Sequence, residues 1–154
     1  MRRTRYGRER GAALVELAVT LPVLVLIAVG TTDLARAYRT ATALTSAARA
    51  GALYGGQEAA FSVDTAGMTT AAQNVLSANL SGATSASATR LCECISASGT
   101  VSATSPANTC TATCPGFLAI HVTVTTTGTF DLVSRLPGVP RSLTLTRSVT
   151  MRAQ

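Results

Sequence analysis

The chain has 154 residues, enough for one modest domain once an apolar segment near its start is set aside. Its formal charge of +6 invites a nucleic-acid reading, but five of the thirteen basic residues (Arg2, Arg3, Arg5, Arg8, Arg10) precede Gly11, against one acid, Glu9. The rest holds eight arginines, six acids and no basic patch with interleaved aromatics, so nucleic acid is not an expected partner.

Met1–Gly11 reads as a polar, basic leader without regular structure. From Ala12 to Thr32 the only charge is Glu16. As a helix that run extends about 31 Å, the thickness of a hydrocarbon core of about 30 Å. Basic residues crowd its start and none follows before Arg36, which predicts a cytoplasmic N-terminus with the remainder outside. A lone acid at such depth costs roughly 2.5–3.5 kcal/mol on insertion scales, which marks Glu16 as a functional residue by default. Pro22, about one turn further on, predicts a kink or local opening of the helix.

Helical periodicity continues past the apolar run through Leu34, Ala37, Tyr38, Ala41, Leu44, Thr45, Ala48 and Ala52. Asp33, Arg36, Arg39 and Arg49 fall mostly off that stripe, and Gly55-Gly56 supplies a stop. A second helix is predicted over Thr65–Leu80, capped by Asp64 or Thr65, with Met68, Ala71, Ala72, Val75 and Leu76 on one face. Ser81–Thr89 is small and polar and reads as a loop. Arg90–Ser96 is a possible strand and Gly99–Asn108 a low-complexity loop. Alternation of Leu118, Ile120, Val122 and Val124 with polar neighbours predicts a strand continuing towards Phe130. Ser142–Met151 alternates likewise after a turn at Leu136–Pro140.

The four cysteines, Cys92, Cys94, Cys110 and Cys114, lie in an extracytoplasmic region on this topology, where disulfides are favoured. Cys92 and Cys94 share one face of an extended strand and cannot comfortably join each other. Two bridges to Cys110 and Cys114 would staple loop 92–114, with the choice of partner open. A four-cysteine zinc site fits less well, because C-x-C is tighter than the common ligand spacing; no metal is expected. His121 reads as a surface residue on a polar strand phase, and Asp33 with Arg36 as a local helical ion pair. The many Ser and Thr residues have no accompanying base, so no hydrolase site, small-molecule substrate or cofactor is expected.

Several segments resemble the TadE-like family: Arg10-Gly11-Ala12-Ala13-Leu14-Val15-Glu16-Leu17-Ala18, Asp33-Leu34-Ala35-Arg36-Ala37-Tyr38, Ala47–Gly55 and Leu143–Arg152. Leu17 departs from the pattern, since many relatives carry an aromatic there. Such proteins are minor pseudopilins of the tight-adherence (Flp, type IVc) pilus system. The resemblance implies cleavage between Gly11 and Ala12 by a prepilin peptidase, with Glu16 fifth in the mature chain. It implies a new ammonium at Ala12 that would pair with Glu16 of a neighbouring subunit and set axial register. It also implies other pilins or pseudopilins and the pilus assembly platform as partners, in the bacterial inner membrane.

A secretory-signal reading, with Ala35-Arg36-Ala37 as the cleavage triplet, conflicts with the length of the apolar run and with Glu16. The expected molecule is an α+β, pilin-like protein and not an enzyme. It combines leader 1–11, transmembrane helix 12–32, helix extension 33–55 and an extracytoplasmic head 56–154 with a sheet of three to four antiparallel strands. The reading of a different class is a membrane-anchored extracytoplasmic binding protein or enzyme with an uncleaved anchor.

Overall fold

The computed structural model describes residues 5–103, 110, 114, 116–133 and 140–153. The expected turn at Leu136–Pro140, except Pro140, and the 104–108 part of the expected loop lie outside the described residues. Helix α1 runs from Arg5 to Gly56, 52 residues. A short 3-10 turn, Phe61–Val63, leads into α2, Thr65–Asn79. Strands β1 (Thr84–Ile95), β2 (Val101–Ala103), β3 (Phe117–Asp131) and β4 (Ser142–Arg152) form one antiparallel sheet in the order β2-β1-β3-β4. The fold is α+β, as the period change along the sequence predicts.

Two features of α1 differ from expectation. It begins at Arg5, inside the leader expected to lack structure; despite Gly7 and Gly11, Arg and Glu extend an existing helix at little cost. It also passes through Pro22 without interruption. Two residues earlier the Thr20 hydroxyl donates to the Glu16 carbonyl at 3.0 Å.

The head's core is small-residue packing between the two helices and one sheet face. Ala52, Met68, Ala72, Val122 and Val124 form one buried cluster, and Leu44, Ala47 and Leu76 a second. Ala86 packs against both. Gly51 permits the close approach of α2: a Cβ there would stand 2.6 Å from the Met68 carbonyl oxygen and 3.1 Å from Val124 Cγ1. Thr126 is fully buried, and its hydroxyl donates to the Leu44 carbonyl at 2.9 Å, joining β3 to α1.

The expected loop at Ser81–Thr89 is mostly strand. From Thr84 onwards β1 pairs residue by residue with β3, Thr84 opposite Gly128 through Ile95 opposite Phe117. The alternation is hidden in the sequence because its inward positions, Ala86 and Ala88, are small enough to admit the helices. Outward positions form rows of hydroxyls: Ser85, Thr127 and Thr146; Ser87, Thr125 and Ser148; Thr89, Thr123 and Thr150. Within the last row the Thr123 and Thr150 hydroxyls are 2.8 Å apart.

The buried stripe of α1 keeps Leu44, Ala48 and Ala52 of the expected one and departs from it at the membrane-proximal turns. Leu34 and Tyr38 are exposed, whereas Asp33, Thr40, Leu44, Ala47, Ala48, Gly51, Ala52 and Gly55 face the head. A helix leaving a membrane carries apolar residues on more than one face, so periodicity includes Leu34 and Tyr38, which do not face the head.

Candidate functional site: the long helix and its seat in the head

Gly11, Ala12 and Glu16 all lie on α1, with Ala12 and Glu16 one turn apart on the same side. All three are exposed, and a Cβ added at Gly11 would meet nothing within 4 Å. Around them the helix is apolar on every face: Leu14, Val15, Leu17, Val19, Leu21, Val23, Leu24, Val25, Leu26 and Ile27 are all exposed. The helix from Gly11 contains a window of mean hydropathy 2.5, long and apolar enough to cross a membrane, and none of that window is buried by the rest of the chain. Apolar surface on all sides of a helix needs an apolar surround. This half of α1 fits a membrane anchor.

The other half is built into the head. Asp33, only 6% exposed, is the first charged residue after the apolar run. Its Oδ1 accepts the Val133 backbone N–H at 2.9 Å and lies 3.8 Å from Arg36 Nη1. The Arg36 guanidinium in turn sits 5.3 Å from the centre of the Phe130 ring. The ion pair expected from the sequence is therefore one part of a seat that holds the end of β3 against α1. Nothing in the local sequence pointed from Asp33 to a backbone amide 100 residues away.

At the other end of the seat, Asp64 caps α2. Its Oδ1 accepts from the Gly67 backbone N–H at 2.8 Å and its Oδ2 from the Tyr54 hydroxyl at 2.9 Å. These donors, the Gly67 amide first, hold the Asp64 carboxyl below its ordinary value of 3.8, while the same hydrogen bond raises the Tyr54 phenol above 10.0. A carboxylate with a depressed folded pKa contributes stability above its unfolded pKa and loses it as pH falls through the folded one. The head's advantage over an Asp64→Asn variant is therefore expected to hold from neutral pH to about 4 and to shrink below it. Thermal melts of both proteins across that range check this; a constant difference would show that the carboxylate's charge contributes nothing.

In the sheet, Cys92 lies against Cys110 and Cys94 against Cys114, each pair with Cα atoms 5.6 Å apart, within the span that a disulfide bridges. Cys92 and Cys94 are both buried on the helix-facing side of β1. His121, read from the sequence as a surface residue, has its Nε2 3.5 Å from Glu93 Oε2. The two are diagonal neighbours, because Leu91 pairs with His121 and Glu93 with Ala119. Arg90 is buried between Ala88 and Cys92 along β1, and its Nε has no hydrogen-bond partner among the described residues. An open cleft of about 470 Å³ lined by Ala59, Leu118, Ile120, Arg152 and Ala153 carries one ionisable side chain, that of Arg152. Among the described residues no group of three or more His, Cys, Asp or Glu is arranged to hold a metal ion.

A helix apolar on all faces at one end and woven into a small α+β head at the other defines a head carried on a membrane-anchoring helix. Residues 11–53 match the family model described as TadE-like protein, so the chain carries a TadE-like segment over most of α1. No curated protein and no solved structure matches the chain.

Proposed function

We propose that this protein is a minor pseudopilin acting in biogenesis of an adhesive Flp (type IVc) pilus, with a structural rather than catalytic role. The observation that carries the reading is the TadE-like match over residues 11–53, which covers both Gly11-Ala12 with Glu16 and the helix that enters the head. In this proposal a prepilin peptidase cuts between Gly11 and Ala12 at the cytoplasmic face of the inner membrane. The exposed, open surroundings of Gly11 leave the scissile bond accessible. The new ammonium of Ala12 then lies beside Glu16 of a neighbouring pilin or pseudopilin. Pairing relieves the cost of an isolated charge in lipid and fixes the axial offset between helices. The head 56–154, with disulfides at Cys92, Cys94, Cys110 and Cys114, stands on the periplasmic side and meets other pilins and the assembly platform.

Intact-mass analysis of the membrane fraction tests this. A chain beginning at Ala12 in cells with the peptidase, and at Met1 in cells without it, is the expected result. A chain that keeps Met1–Gly11 in both would overturn the processing step. Glu16→Ala should insert at least as well as the wild type yet lower pilus formation; unchanged piliation would remove the carboxylate from assembly.

A further inference from the structure

We propose that the end of the head formed by Leu132–Val133 and Arg141–Leu143 rests on the membrane, in the headgroup layer of the leaflet from which α1 emerges. The inference rests on the reading of Ala12–Thr32 as a membrane span.

The direction of β3 leads there. Val124 lies against Gly51, Thr126 bonds to Leu44, Phe130 lies under Arg36, and the Val133 amide bonds to Asp33. The strand therefore runs antiparallel to α1, one climbing in number while the other descends. Nine residues of strand from Val124 to Val133 cover about 30 Å. Eighteen residues of helix from Gly51 to Asp33 cover about 27 Å. The two elements keep level over that whole distance, so β3 reaches the exit point of the span and no higher. Asp33 directly follows Thr32, the last residue of the apolar run, which sets Val133 at the water–lipid boundary.

The side chains at this end suit that boundary. Val133 is 58% exposed, Leu143 41%, Leu34 70% and Tyr38 72%. Leu143 belongs to the same end because it pairs with Phe130, and the Leu132 backbone N–H donates to the Arg141 carbonyl at 3.0 Å. Arg36, Arg39 and Arg141 are exposed beside them, against buried Asp33 and exposed Asp131. Apolar side chains interleaved with guanidinium and phenol groups match a layer whose depth is acyl chain and whose surface is phosphate. A phospholipid surface needs no recruitment, since α1 already lies in it.

The chain has no tryptophan, so a single introduced one reports its own surroundings. Four full-length variants, Val133→Trp, Leu143→Trp, Leu24→Trp and Thr125→Trp, are reconstituted into vesicles of phosphatidylethanolamine and phosphatidylglycerol containing acyl-brominated lipid. Leu24→Trp should be quenched most by lipid brominated deep in the chain. Val133→Trp and Leu143→Trp should be blue-shifted and quenched by lipid brominated near the headgroup. Thr125→Trp, on the outward sheet face, should be unaffected. Quenching at Leu24→Trp with none at Val133→Trp and Leu143→Trp would overturn the resting contact and leave the span standing. No quenching at Leu24→Trp would overturn the span itself. A blue shift at Val133→Trp without quenching would assign that face to protein, a second copy or another partner, and overturn the lipid contact.

Discussion

Gly51→Leu is expected to separate α2 from α1 and leave the head without a stable core. Even the Cβ of alanine would stand 2.6 Å from a backbone oxygen, that of Met68, and 3.2 Å from the Ala72 Cβ. A carbonyl in the middle of a helix cannot swing aside, so the whole of α2 must move. Alanine in place of glycine recovers about 1 kcal/mol of helix propensity, whereas overpacking costs about 1–3 kcal/mol or more. Gly51→Ala should therefore be destabilising on balance, and leucine should take a large share of a total of about 5–15 kcal/mol. Limited proteolysis of the full-length protein in detergent measures this, with Gly30→Ala as control, since nothing lies within 4 Å of a Cβ there. Equal resistance of Gly51→Leu and wild type would show that the close approach of the helices is not what holds the head together.

The cysteines carry the second large effect. Matched removal, Cys92→Ala with Cys110→Ala, should leave one bridge and no free thiol, with a loss of about 3 kcal/mol for a loop of this length. Mismatched removal, Cys92→Ala with Cys114→Ala, should cost about twice as much, because both native pairings are lost. Thiol titration and thermal unfolding distinguish the two. Free thiols in the untreated wild type, or equal losses in both variants, would overturn the pairing of Cys92 with Cys110 and Cys94 with Cys114. Both cysteines on β1 are buried, so alanine there also removes buried side-chain volume.

Much of the architecture was legible because its periods are clean. Leu118 to Val124 alternates over residues large enough to register, and the stripe Met68, Ala72, Leu76 identifies the buried face of α2. The first half of β1 was not legible because its inward residues are alanines and its outward ones Ser and Thr, the composition of a loop. That composition suits the packing: Ala86 and Ala88 are partly buried against core residues of the helices and β3. The first turns of α1 beyond the apolar run were misread for another reason. Leu34 and Tyr38 are apolar without facing the core, whereas Asp33 is charged and faces it, its charge answered by an amide from the far end of the chain. Of the proposed processing site, Gly11, Ala12 and Glu16 stand out in the sequence alone because a charge in an apolar run needs no tertiary structure to be conspicuous. Asp33 needed the fold.

The antiparallel match of β3 with α1 also decides how the molecule bears tension. A pull along α1 acts parallel to β3, and the hydrogen bonds that tie β3 to its neighbours lie across that axis. The load falls on the contacts between α1 and β3, Gly51 with Val124, Leu44 with Thr126, Arg36 with Phe130 and Asp33 with Val133, which lie side by side along the two elements and share it. The head is thus coupled to α1 along the length of β3 and not at a single point.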